Sequence, residues 1–81
     1  MDELTKALAD FFLTQRKNAK LSIEEAASVL GISSKQLEIF EKGDAPMPTT
    51  LIFALANAYG SDPEAVLSLI QLFQPRENPS G

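Results

Sequence analysis

Apolar residues return every three or four positions along most of the chain, interrupted by Gly, Ser and Pro, and that period predicts helices throughout. Leu4, Leu8, Phe11, Phe12 and Gln15 follow this spacing with no Gly or Pro between them, so a first helix is predicted from Asp2 to Asn18. Leu21-Ser22-Ile23-Glu24-Glu25 then carries a helix start. The Ser22 hydroxyl can accept from a backbone N–H, and Glu25, three residues on, can reach back to complete a capping box. This second helix runs through Ala26, Ala27, Val29 and Leu30 and stops at Gly31, which adopts the left-handed conformation of a helix end without a Cβ clash.

Ile32-Ser33-Ser34-Lys35-Gln36 repeats the device, with Ser33 as cap and Gln36 as its reciprocal partner. Leu37 and Phe40 then share one face of a third short helix ending near Lys42-Gly43. Two short helices joined by a tight turn containing Gly form the outline of a helix-turn-helix. Asp44-Ala45-Pro46-Met47-Pro48 is a loop, because each Pro removes a donor and disfavours helix in the residue before it. Thr49 or Thr50 opens a fourth helix with Ile52, Leu55, Ala56 and Tyr59 as its buried stripe, and Gly60 ends it. Asp62 caps a fifth with Pro63 in its first position. The expected fold is all-α, a bundle of about five short helices with a central helix-turn-helix. Residues 1–73 form a single domain and 74–81 a Pro-rich polar tail predicted to be disordered.

Composition narrows the chemistry. The 81 residues contain no Cys and no His, which leaves no disulfide, no zinc site of ordinary type and no imidazole base; neither a metal nor a cofactor is expected. A Gly-rich phosphate loop and a nucleophile beside a base are also missing, and Glu24-Glu25 point to different sides of a helix, so an enzyme is not expected. No apolar run approaches the roughly 20 residues of a membrane span, and Asp2-Glu3 is acidic where a secretory signal is basic, so the chain reads as cytoplasmic with no membrane partner. Eleven acidic against seven basic side chains give a net charge of -4, so any contact with a polyanion must be local. Arg16, Lys17 and Lys20 supply one basic corner, at the end of the first helix where cations also complement the helix dipole.

The stretch from Arg16 to Leu67 resembles the helix-turn-helix family of the lambdoid phage repressors and Cro, often called the Xre family. The resemblance is carried by Arg16, by Leu21-Ser22, Glu25, Ala27 and Leu30-Gly31-Ile32-Ser33, by Leu37 and Phe40-Glu41-Lys42-Gly43, and by Leu55-Ala56, Ala58-Tyr59-Gly60 and Asp62 to Leu67. It implies a sequence-specific DNA-binding transcriptional regulator of double-stranded operator DNA, acting as a homodimer. It also implies a structural ion pair between Arg16 and Glu41. In such proteins the third helix enters the major groove. Carried onto this chain, Ser33, Ser34, Lys35 and Ile39 read bases, with Gln36 in reach of them, and Lys17, Lys20, Ser22 and Lys42 hold the DNA backbone. Ser22 and Ile23, at the start of the second helix, would face a phosphate.

Three residues depart from that pattern. Ile23 stands where the family often has a phosphate-clamping Gln, Glu38 stands on the reading face, and Asp44 replaces a basic residue after the Gly. From 33 to 44, Lys35 and Lys42 face Glu38, Glu41 and Asp44, one net negative charge. A second reading therefore stays open: a fold that no longer reads DNA and binds protein through Glu38 and Ile39, as an adaptor, antirepressor or regulatory subunit. Leu69, Leu72 and Phe73, with Phe11 or Leu13, are candidates for a two-fold interface, because not all of these apolar groups can face inward in so small a domain. Leu67 and Ile70 are the residues of the last helix assigned to the core.

Overall fold

A computed structural model describes residues 3–73, and among these the chain forms helices α1 (Glu3–Asn18), α2 (Ile23–Leu30), α3 (Ser34–Glu41), α4 (Thr49–Tyr59) and α5 (Pro63–Leu72), with no strand. Asp2 and the 74–81 tail lie outside the described residues. The helix ends follow local chemistry. Ser22 accepts from the Glu25 N–H while the Glu25 carboxylate accepts from the Ser22 N–H, closing a full capping box on α2. Ser33 likewise accepts from the Gln36 N–H, but here only half the box forms, since the Gln36 side chain does not return to Ser33. Asp62 caps α5 by accepting from the Glu64 N–H, and Pro63 follows at the first helical position. Pro48 precedes α4 with no side-chain cap; its extended backbone alone sets the entry.

Every helix sends at least one side chain to a common core. Phe12 from α1, Ala26 from α2, Leu37 from α3, Leu55 from α4 and Val66 from α5 are buried to within 2% of completely. Burying groups the size of Phe, Leu and Val contributes roughly 1.5–3 kcal/mol each, which is what holds helices too short to persist alone. Phe12 meets Phe11 edge-on with ring centroids 5.0 Å apart and lies 6.4 Å from the Tyr59 ring, joining α1 to α4. The small Ala26 and Ala27 let α2 approach α3 and α4.

Two stripes differ from the periodicity. On α1 the buried positions are Thr5, Leu8, Ala9 and Phe12, with Leu4, Phe11 and Gln15 only half-buried at the edges. The reason is that α1 packs against α3, α4 and α5 together, and small Thr5 and Ala9 permit that approach. On α5 it is Val66 that seals the core, while Leu67 is 46% exposed and Ile70 only half-buried. The entry angle set by the Asp62 cap turns Val66 inward and Leu67, one residue or 100° round, outward.

Candidate nucleic-acid interface

Arg16 joins the elements of the site. Its guanidinium donates from Nε to Glu41 Oε2 at 2.6 Å and from Nη2 to Glu41 Oε1 at 3.0 Å, and Nη1 donates to the Leu21 carbonyl at 2.9 Å. One side chain thus ties the end of α1 to the end of α3 and to the turn before α2. The hydrogen bonds to Glu41 push the Arg16 pKa up, outweighing the opposing effect of burial. With its donors directed inward, Arg16 stands behind the helix-turn-helix and supports it.

That pairing alters the charge presented by α3. Counted along the chain, residues 33–44 are net negative, but Glu41 is neutralised by Arg16 and half-buried. What remains toward solvent is Lys35 and Lys42 against Glu38 and Asp44, a balance of zero. Leu37 and Phe40 face the core, which turns Lys35, Glu38, Ile39 and Lys42 outward as one exposed stripe, with Ser34 half-buried at its edge. Gln36, also exposed, flanks this stripe beside Ile39 and lines a shallow groove with Leu30, Ile32, Phe40 and Leu51. Ser33 keeps its hydroxyl proton to donate, its oxygen being engaged as the cap.

At the start of α2 the Glu25 carboxylate already takes the Ser22 N–H, so part of the local anion site is filled from within the chain. The Ile23 and Glu24 N–H groups have no intramolecular partner among the described residues. Ile23 itself is half-buried and packs on the core. Lys17 and Lys20 are both exposed beside this turn. Lys20 has φ +61°, the one non-Gly residue with positive φ among those described. It closes α1: its N–H donates to the Lys17 carbonyl, and the Leu21 N–H reaches back to the Arg16 carbonyl. Periodicity gives no sign of this, because a lysine does not advertise a left-handed turn as glycine does.

A second left-handed turn, this one at a glycine, lies at the end of α3. Gly43 is buried with φ +74°, and a Cβ there would stand 3.4 Å from Lys6 Cγ and 3.6 Å from Lys6 Cα. Those are ordinary contact distances, so what favours glycine here is the left-handed backbone by which the chain turns from Lys42 to Asp44. Two further features carry no signal in the sequence. The Ser61 hydroxyl donates to Gln15 Oε1 at 3.0 Å, joining α1 to the α4–α5 turn. Tyr59 keeps a buried hydroxyl that has no partner among the described residues, and its burial together with the nearby Glu41 charge pushes the phenol up to about 12.

On α5, Leu72 is 78% exposed and Phe73 37%, while Leu69 packs partly on the core. Phe11 and Leu13 are half-buried. No helix among the described residues is long and apolar enough to cross a membrane, and no described group of acidic side chains is arranged to hold a metal ion.

The helix-turn-helix domain family matches residues 7–69, and the chain belongs to that family. Its fold is similar to that of the clp gene regulator ClgR from C. glutamicum, whose crystal structure superimposes with a TM-score of 0.76 over 91% of this chain and 95% of that one, at 20% identity. Among curated proteins none matches this chain.

Proposed function

We propose that this protein is a DNA-binding transcriptional regulator that acts as a homodimer and recognises a specific operator. The observation that carries this reading is the outward stripe of α3. The ion pair to Arg16 takes Glu41 out of that face and leaves Lys35, Glu38, Ile39 and Lys42 free to meet a groove, beside a Ser33 with a hydroxyl to donate. Family membership and the resemblance to a gene regulator support it. In this reading Ser33, Ser34, Lys35 and Ile39 contact base edges, and Lys17, Lys20, Lys42 and the free amides at the start of α2 hold phosphates, with Ser22 contributing its hydroxyl. Leu69, Leu72 and Phe73 pair two copies, which would place two reading helices on successive turns of one duplex face.

The test is a titration of labelled duplex, taken from the region upstream of the protein's own gene and from random sequence, at low and at physiological salt. Preferential binding of the upstream duplex, with affinity that falls steeply as salt rises, is the expected result. A folded protein that binds no duplex even at low salt would overturn it and point to a protein partner on the Glu38 and Ile39 face.

A further inference from the structure

Glu38 holds the middle of the reading face. Leu37 and Phe40 anchor α3 to the core and Arg16 holds Glu41, so at 3.6 residues per turn Lys35, Glu38, Ile39 and Lys42 are the residues turned away from the protein. Lys35 and Lys42 stand at the ends of this stripe, seven residues and about 10 Å apart, and Glu38 and Ile39 lie between them. The Glu38 side chain is exposed and makes neither an ion pair nor a hydrogen bond among the described residues, although lysines stand three positions before it and four after. Its carboxylate is uncommitted.

A helix-turn-helix sets the N-terminal part of its second helix over the base edges of the major groove, which is about 12 Å wide, and Glu38 lies one turn beyond the first reading positions. Lys42 then stands toward the phosphates and Lys35 beside Glu38 at the base edges, and their two positive charges offset the repulsion that an isolated carboxylate would feel there. A carboxylate has only acceptors to offer. Guanine shows the groove two acceptors and thymine an acceptor and a methyl, so both are disfavoured; adenine sets its N6 donor beside the N7 acceptor. Cytosine presents its N4 donor with no neighbouring acceptor of its own. The adjacent Ile39, 41% exposed, offers an aliphatic surface suited to a thymine methyl.

We infer that Glu38 is a specificity-determining residue, which selects a cytosine through its N4 amino group while Ile39 packs on the methyl of a neighbouring thymine. This rests on the DNA-binding reading above and reverses the role that charge alone assigns to Glu38.

The experiment is a selection from randomised duplexes by the full chain and by Glu38→Gln and Glu38→Ala, at one fixed salt concentration. The wild type is expected to enrich cytosine at one position of each half-site, next to thymine. Glu38→Ala should lose about 10- to 100-fold of that preference at that position alone, and Glu38→Gln should shift it toward adenine. A selected duplex carrying pyrimidin-2-one, which lacks the 4-amino group, in place of that cytosine should weaken the wild type at least tenfold more than Glu38→Ala. Unchanged preferences in both variants, or uniformly tighter binding of every sequence by Glu38→Ala, would overturn the assignment while leaving the DNA-binding reading intact. A folded wild type that binds no duplex overturns both.

Discussion

Arg16 and Glu41, 25 residues apart in the chain, meet as a two-pronged ion pair with their side chains 13% and 9% exposed. A third guanidinium bond, to the Leu21 carbonyl, makes Arg16 the joint of three segments. Replacing one partner leaves the other charge half-buried and unpaired. Arg16→Ala and Glu41→Ala are each expected to destabilise the fold by about 2 to 3 kcal/mol, between the ranges for exposed and fully buried pairs. The double variant Arg16→Met/Glu41→Leu should recover part of that loss. Urea midpoints for the wild type and the three variants provide the check.

Lys20 carries a side chain through a left-handed turn that glycine adopts more easily. Lys20→Gly should therefore stabilise the domain by about 1 kcal/mol, the left-handed penalty reduced by the greater freedom of glycine in the unfolded chain. If Lys20 also holds a phosphate, the same variant should bind duplex less tightly and with a salt slope shallower by about 1. Thermal melts and a salt titration separate the two effects, and a lower melting temperature would contradict the backbone argument.

The Tyr59 phenol is held neutral by burial and by the nearby Glu41, with its value pushed from 10.0 to about 12. The folded-state value is raised, so the associated stability is present below pH 10 and is lost as pH rises from 10 toward 12, by roughly 2 to 3 kcal/mol. Tyr59→Phe removes an unsatisfied hydroxyl and should be neutral or slightly stabilising at pH 7. Its stability should fall less than the wild type's between pH 10 and 12. Urea unfolding of both proteins across that window measures the difference; parallel curves would mean that the hydroxyl reaches solvent.

Lys35 and Lys42 sit at opposite ends of the exposed stripe of α3. Under the proposed docking, Lys35→Ala should cost about 1 to 3 kcal/mol against the selected site and relax preference locally. Lys42→Ala should weaken all sequences alike and lower the salt slope by about 1. Equal losses on selected and random duplex in both variants would show that Lys35 touches only phosphate.

Leu72 is the most exposed of the large apolar side chains described, so changing it removes little from the monomer's core. Under the proposed two-fold pairing, Leu72→Lys is expected to change monomer stability by no more than about 0.5 kcal/mol while shifting the protein from dimer to monomer. Sedimentation velocity over a hundredfold range of concentration decides this. An unchanged sedimentation coefficient in the variant would remove Leu72 from the proposed pairing, and a monomeric wild type would overturn the pairing itself.

The residues that start and stop helices act on backbone groups within four positions of themselves, and such features could be read from the chain. Ser22 with Glu25, Ser33, Gly31, Gly60, and Asp62 with Pro63 all stand where their local chemistry put them. The α4 stripe of Ile52, Leu55, Ala56 and Tyr59 was equally legible, because one helix face against one core needs only the 3.6-residue period. Less could be read where several helices meet. The exchange of Leu67 for Val66 in the core depends on the angle at which α5 enters, and the choice of Thr5 and Ala9 over Leu4 and Phe11 depends on three neighbours of α1 at once.

The charge on the outward face of α3 shows the same division most clearly. Sequence alone determined an acidic chain with two lysines and three carboxylates between residues 33 and 44, together with the helix that carries them. Only the tertiary structure decided which of those charges faces outward. Glu41 turns in to meet Arg16 across 25 residues of chain, whereas Glu38 stays free in the middle of the stripe. The physical reason is range: a cap or a helical period is set by covalent neighbours, but desolvation and ion pairing depend on what folding brings within a few ångströms, whatever its distance along the chain.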